Sequence, residues 1–205
     1  MHMKRSILLA AALLLVAPAF AQEEAQPAPI EETDEFVPQF ELGDQMVATG
    51  VGLLFPLFFA GDAEGAAPTN LSLGGVGSLR WASYLNNDMS IGAEVSGSFS
   101  FSPNGRVLYL VPVNVRYTYY LRSYPFEFPL HIGLGGSVSR LSESTKFDPA
   151  VLGGVEAFWN YDSQWAFGLR AQYWLIPQIY FGGDLEGENR LGNFLSLTAI
   201  ARYHI

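Results

Sequence analysis

Six charged residues carry the chemistry that this sequence offers. Arg80, Glu94, Arg116, Glu156, Arg170 and Arg202 each sit within an alternating apolar and polar segment, on the polar parity. Guanidinium and carboxylate groups form short, charge-assisted hydrogen bonds, often two at once. In a dry interior each of these ions needs a partner, because desolvation costs several kcal/mol per ion. Glu127 and His131 fall on an inward parity as well, with Glu127 near a rim. Other chemistries find less support. His131 and His204 are the only histidines after residue 2. The nearest hydroxyl on the face of His131 is Ser137, too far along a strand to form a nucleophile–base pair, and His204 has no adjacent serine. The two histidines form no local metal-ligand motif. GGVG at 74–77 and GLGG at 133–136 resemble phosphate loops only in composition, since neither opens a helix. Gly182, Gly183, Asp184, Glu186 and Glu188 read as a solvated acidic turn. Without cysteine there is neither a disulfide framework nor a thiolate site. No enzyme, cofactor or metal site is expected.

The elements that position these charges are strands. Residues 89–101 read MSIGAEVSGSFSF. Met89, Ile91, Ala93, Val95, Gly97, Phe99 and Phe101 share one face; the serines, Gly92 and Glu94 share the other. Similar alternation predicts eight strands, at 45–58, 69–82, 89–101, 107–121, 126–140, 150–161, 164–176 and 192–205, with no helical pattern of comparable length. In the fourth, Val107 to Tyr119 keeps one face apolar while Asn114, Arg116 and Thr118 lie on the other. Several of these segments exceed the usual globular strand and reach the ~9–11 residues of a tilted bilayer crossing.

Three features place the apolar face outside. The polar face holds Gly, Ser, Thr and Ala with few charges, and beyond the first residues the chain has one lysine, Lys146. Soluble β proteins guard their faces and edges with charge, especially lysine. Met46, Ala48, Gly50 and Gly52, and then Ser72, Gly74 and Ser78, suit a narrow interior. Next, Trp81, Tyr117, Tyr119, Trp159, Tyr161, Trp165 and Tyr203 fall at one rim if each strand crosses once, with Phe126, Phe128 and Phe167 beside them. Amphipathic rings favour the membrane interface. Phe55, Phe99, Phe101, Tyr109 and Tyr173 form the opposite rim. Last, short connections at 83–88, 122–125 and 162–163 alternate with connections at 59–68, 102–106, 141–149 and 177–191. Bacterial barrels have short periplasmic turns and generally longer outer loops. In lipid, spanning strands must close into a barrel so that every amide is satisfied. A closed eight-stranded barrel is filled by side chains rather than left as a wide channel.

Hairpin geometry fixes the register. Pro103-Asn104-Gly105 fits a three-residue loop with glycine in the left-handed position. That loop sets Glu94 opposite Asn114, with Arg116 on the diagonal. Opposing Tyr161 with Trp165 pairs Glu156 directly with Arg170, and Trp159 with Phe167. The bland role of these charges is to close the lumen and fix register; the sharper one is a gate.

The N-terminus reads as an export signal. Lys4 and Arg5 precede an apolar stretch from Ile7 to Val16, and Ala19-Phe20-Ala21 fits a cleavage site, so residues 1–21 form the signal peptide. Residues 22–40 are acidic and proline-containing and read as a flexible tether. The formal charge of −9 gives no support to nucleic-acid binding. Residues 41–205 resemble the small eight-stranded outer-membrane barrels, of the OmpA transmembrane-domain or OmpW kind, on the signal segment, the alternating strands, the aromatic rims and the paired inner charges. This resemblance implies an all-β, antiparallel up-and-down barrel in the cell outer membrane, a monomer in contact with outer-membrane lipid. It also implies a terminal phenylalanine, where this sequence has Ala201-Arg202-Tyr203-His204-Ile205. The expected role is structural, or a surface interaction with an extracellular ligand through loops 59–68, 141–149 and 177–191. The alternatives are a narrow pore for small or hydrophobic solutes, a lipid-modifying barrel enzyme, and a soluble lipocalin-like binder. The close His-x-Ser pairing of barrel deacylases is missing, as Ile132 and Gly133 follow His131.

Overall fold

A computed structural model describes residues 39–61, 65–141, 144–178 and 190–205. The signal segment, the tether up to residue 38, and the tips at 62–64, 142–143 and 179–189 lie outside the described residues. The chain forms β1 (Gln45–Gly61), β2 (Gly65–Pro68), β3 (Gly74–Asn86), β4 (Met89–Phe101), β5 (Val107–Ser123), β6 (Phe126–Leu141), β7 (Ser144–Asn160), β8 (Trp165–Gln178) and β9 (Arg190–His204). Every pairing is antiparallel, and sequence neighbours lie side by side. Apart from β2, which pairs only with the distal part of β1, the strands form the staves of one sheet. That sheet closes through β1 and β9, from Met46↔His204 to Gly61↔Arg190. The result is an eight-stranded up-and-down barrel. Closure removes the edge strands that would otherwise leave amides unpaired.

Alternation along each strand becomes an alternation across the wall. In β4, Ser90, Glu94, Ser96, Ser98 and Ser100 are buried, while Ile91, Val95, Phe99 and Phe101 face outward. The connection from β4 to β5 has the expected form. Ser102 N–H donates to the Arg106 carbonyl at 2.8 Å, Gly105 N–H donates to the Ser102 carbonyl at 3.0 Å, and Gly105 has φ +71°. Glycine, with no Cβ, takes that left-handed conformation at no steric cost. Elsewhere glycine permits a close approach of strands. A Cβ on Gly52 would lie 2.0 Å from the Leu197 carbonyl oxygen, nearer than any real contact.

Four expectations need correction. The second stave begins at Gly74 rather than at residue 69, so Ser72 lies outside the lumen, where its hydroxyl accepts a hydrogen bond from Phe101 N–H. Residues 59–68 are largely a ladder, Phe58↔Pro68 to Gly61↔Gly65, rather than a loop. Residues 144–149 also belong to a strand, pairing from Leu141↔Ser144 to Gly136↔Pro149. In both places backbone pairing, which needs no particular side chain, carries the ladder past the alternating pattern. Connection length is therefore a weaker signal than supposed. Finally, Phe40, assigned to the tether, is buried with Met46, Ala82, Tyr84 and Tyr120 at the mouth where β1 begins.

Candidate functional site: a layered lumen

The lumen is stacked in layers, whose order follows from each strand. At the mouth where β1 begins, the Phe40 ring stacks on Tyr84 at 4.3 Å and on His204 at 4.5 Å. The Arg122 guanidinium covers Phe40 at 4.6 Å and Tyr120 at 5.0 Å, a cation–π arrangement. Ala48, Phe158, Ala166 and Ile200 form a small apolar layer. At the other end Leu54, Leu108, Leu110, Leu152, Trp174, Ile176 and Phe194 are among the residues of a larger one. Three of the charges lie between on their own strands. Arg116 sits between Tyr120 and Leu110 on β5, Glu156 between Phe158 and Leu152 on β7, and Arg170 between Ala166 and Trp174 on β8.

In the central charge layer two carboxylates are shared by three arginines. Glu94 accepts from Arg116 at 2.7 Å and from Arg170 at 2.8 Å. Glu156 accepts from Arg116 at 2.6 Å and from Arg80 Nη1, which reaches its two oxygens at 3.0 and 3.2 Å. Arg116 Nε donates to Thr118, and Arg170 donates to Thr198 and Ser78, so both guanidinium groups are held on several sides. All five charged residues are buried. A second group lies nearer the Phe40 mouth. There Glu127 accepts from Arg122 at 2.6 Å and from Arg202 at 2.5 Å, and Arg202 also donates to Asn160.

The ladder places Glu94 opposite Asn114 and Glu156 opposite Arg170. Register is a poor guide to the ion pairs themselves. The directly opposed Glu156–Arg170 pair is long, at 3.9 Å. Arg80 is directly opposite Glu94 but bonds Glu156 instead. Asn114 donates to the Glu94 backbone carbonyl rather than to its carboxylate. An arginine is long enough to cross the narrow lumen, so partners are set by which strands face each other through it. Arg202 bonds within the second group, although its backbone stands level with that of Arg80, since both are register partners of Ala48. Sequence reasoning missed Arg122, whose even number on β5 put it on the inward face with Arg116. It also missed the ring stack, which depends on Phe40 folding into the mouth.

His131 and Ser137 are buried, and among the described residues neither ring nitrogen of His131 has a hydrogen-bond partner. Among the described residues no group of three or more histidines and carboxylates is arranged to hold a metal. Outside the lumen, the rings expected at one rim make contacts there. Trp165 lies 4.9 Å from Tyr203 and 6.1 Å from Phe167, and Trp159 lies 5.6 Å from Tyr161. Trp81 donates from its indole to Gln45 at 3.1 Å. Tyr117 and Tyr119 face outward beside them on β5. Phe99, Phe101 and Tyr109 lie towards the other rim. Between the rims run Val51, Leu79, Val113, Val115, Leu134 and Leu169, all exposed. The loop-side mouth holds a cavity of about 320 Å³, lined by Leu108, Leu110, Ile176 and Phe194 together with Lys146 and Arg190.

Solved structures similar to this chain are outer-membrane barrels. Neisserial surface protein A matches with a TM-score of 0.56 and 11% identity, over 78% of this chain and 96% of that one. OprG from Pseudomonas aeruginosa matches with a TM-score of 0.50 and 11% identity, over 81% of this chain and 97% of that one. At such identities the likeness is one of fold. An uncharacterized protein of Borreliella burgdorferi is 27% identical in an alignment of 144 residues that covers 59% of this chain and 67% of that protein. A protein-family model matches residues 25–203, most of the chain, and the chain therefore belongs to the family which that model defines.

Proposed function

We propose that the chain is an integral outer-membrane barrel with a sealed lumen, acting in membrane structure or in surface interaction rather than in catalysis. The observation that carries this reading is the layering of the interior. An aromatic mouth, two groups of ion pairs and an apolar layer around Trp174 follow one another along the lumen. Outside, an apolar belt between aromatic rims suits lipid. The barrel sits in the bilayer as a monomer exported by its signal segment. It meets extracellular partners through the strand extensions and tips of 59–68, 141–149 and 177–191. The detergent-extracted, unheated protein runs faster on a gel than the boiled one and gives no single-channel events in planar bilayers. Regular events above background overturn the sealed lumen. Recovery without detergent in the soluble fraction overturns the membrane assignment.

One observation favours a second reading, a narrow route for small hydrophobic solutes. The cavity at the loop-side mouth provides an entry, although Leu108, Leu110, Ile176 and Phe194, which line it, belong to the same packed apolar layer as Trp174. Uptake of such a solute into vesicles containing the barrel, beyond that of empty vesicles, supports this route.

A further inference from the structure

We propose that Arg80 and Arg202 together hold a small monovalent anion, of the chloride type, inside the barrel. Ala48 on β1 is the register partner of Arg80 on β3 and also of Arg202 on β9. The two arginines thus enter the lumen at one level, about 10 Å apart at the backbone, or two strand spacings. Between them stands the short side chain of Ala48. Among the described residues neither arginine has an acceptor for all of its N–H groups, although the Arg202 guanidinium also lies over the Phe158 ring at 4.4 Å. Arg80 uses Nη1 for Glu156, and Arg202 uses Nη2 for Glu127 and Asn160. Nε and Nη2 of Arg80, and Nε and Nη1 of Arg202, are buried and have no acceptor among the described residues. Buried donors are nearly always paired in folded proteins, so four on two neighbouring cations point to an acceptor they share.

Charge identifies that acceptor. Among the described buried residues from the central layer to the Phe40 mouth, the arginines are Arg80, Arg116, Arg170 and Arg202, and the carboxylates are Glu94, Glu127 and Glu156. Asp148, the other buried acid, is eight residues farther along β7 than Glu156, about 26 Å at the rise of a strand. Water would accept from the free N–H groups but leave the positive excess in place. An anion does both. Phe158 and Ile200, with Ala82 and Ala166, are buried apolar residues of the same region, which favours a small, weakly hydrated ion over a large oxyanion.

The test uses the full chain refolded in detergent, with chloride or bromide exchanged for gluconate at constant ionic strength. The thermal midpoint rises saturably with halide. In Ala48→Leu, whose larger side chain fills the space between the two arginines, the protein still folds and the halide response disappears. Crystals grown in bromide show an anomalous peak between the two guanidinium groups. A wild-type midpoint indifferent to halide, an equal response in Ala48→Leu, or a bromide crystal without that peak overturns the proposal. Should Ala48→Leu fail to fold, the bromide peak decides alone.

Discussion

Replacing Glu156 by glutamine tests the central layer most directly. Among the described residues Glu156 is the sole acceptor of Arg80 Nη1, and it takes the shortest bond of Arg116, at 2.6 Å. Glutamine keeps the shape and one acceptor oxygen but removes the charge. Three bonds of 3.2 Å or less to cations are lost or reduced to neutral ones. Hydrogen bonds to charged groups contribute roughly 1.5–3 kcal/mol each, and breaking a buried pair by removing one partner costs about 3–5 kcal/mol. Because these side chains are almost wholly inaccessible, solvent screening does not reduce the figure. Glu156→Gln is therefore expected to lower unfolding stability by about 3–5 kcal/mol. The double variant Glu156→Gln/Arg80→Met removes the stranded cation too, and recovers about half of that loss. Reversible urea unfolding in lipid vesicles, followed by tryptophan fluorescence, reads both values. A Glu156→Gln stability within about 0.5 kcal/mol of wild type refutes the shared-carboxylate account. So do losses in the double variant that simply add, since coupled partners must deviate from additivity.

Three further outcomes follow from the wall and the apolar layers. Val115→Arg puts a cation on the middle of the outward belt and costs about 2–4 kcal/mol in vesicles; a neutral result counts against lipid contact on that face. Gly52→Ala drives a methyl group into the Leu197 carbonyl and prevents closure or destabilises by more than about 2 kcal/mol, whereas Gly97→Ala, with open space around it, stays within about 0.5 kcal/mol. Heat-modifiable migration and urea midpoints separate the two glycine variants. Trp174→Ala removes the largest ring of the loop-side apolar layer and costs about 3–5 kcal/mol, yet the barrel stays non-conducting because the ion-pair layers still block the lumen. Channel events in this variant would mean that Trp174 is the main seal.

What the sequence by itself determined was periodic. A strand turns each residue by half a turn, so Ile91, Val95 and Phe99 had to share a face opposite Glu94 and Ser96. The hairpin register was legible for a similar reason. Pro103-Asn104-Gly105 and the turn before Trp165 are local geometry, and each sets Glu94 or Glu156 against one residue only. Strand ends were less legible at 59–68 and 141–149, where pairing outlasts the apolar pattern. Tertiary structure alone decided the partners of the charges. Arg80 reaches Glu156 across the lumen, past Glu94 directly beside it, and Phe40 turns back into the mouth to meet Tyr84 and His204. Such contacts depend on which staves face each other once the barrel closes. That depends on the number of strands and their stagger, which no single stretch of the chain encodes.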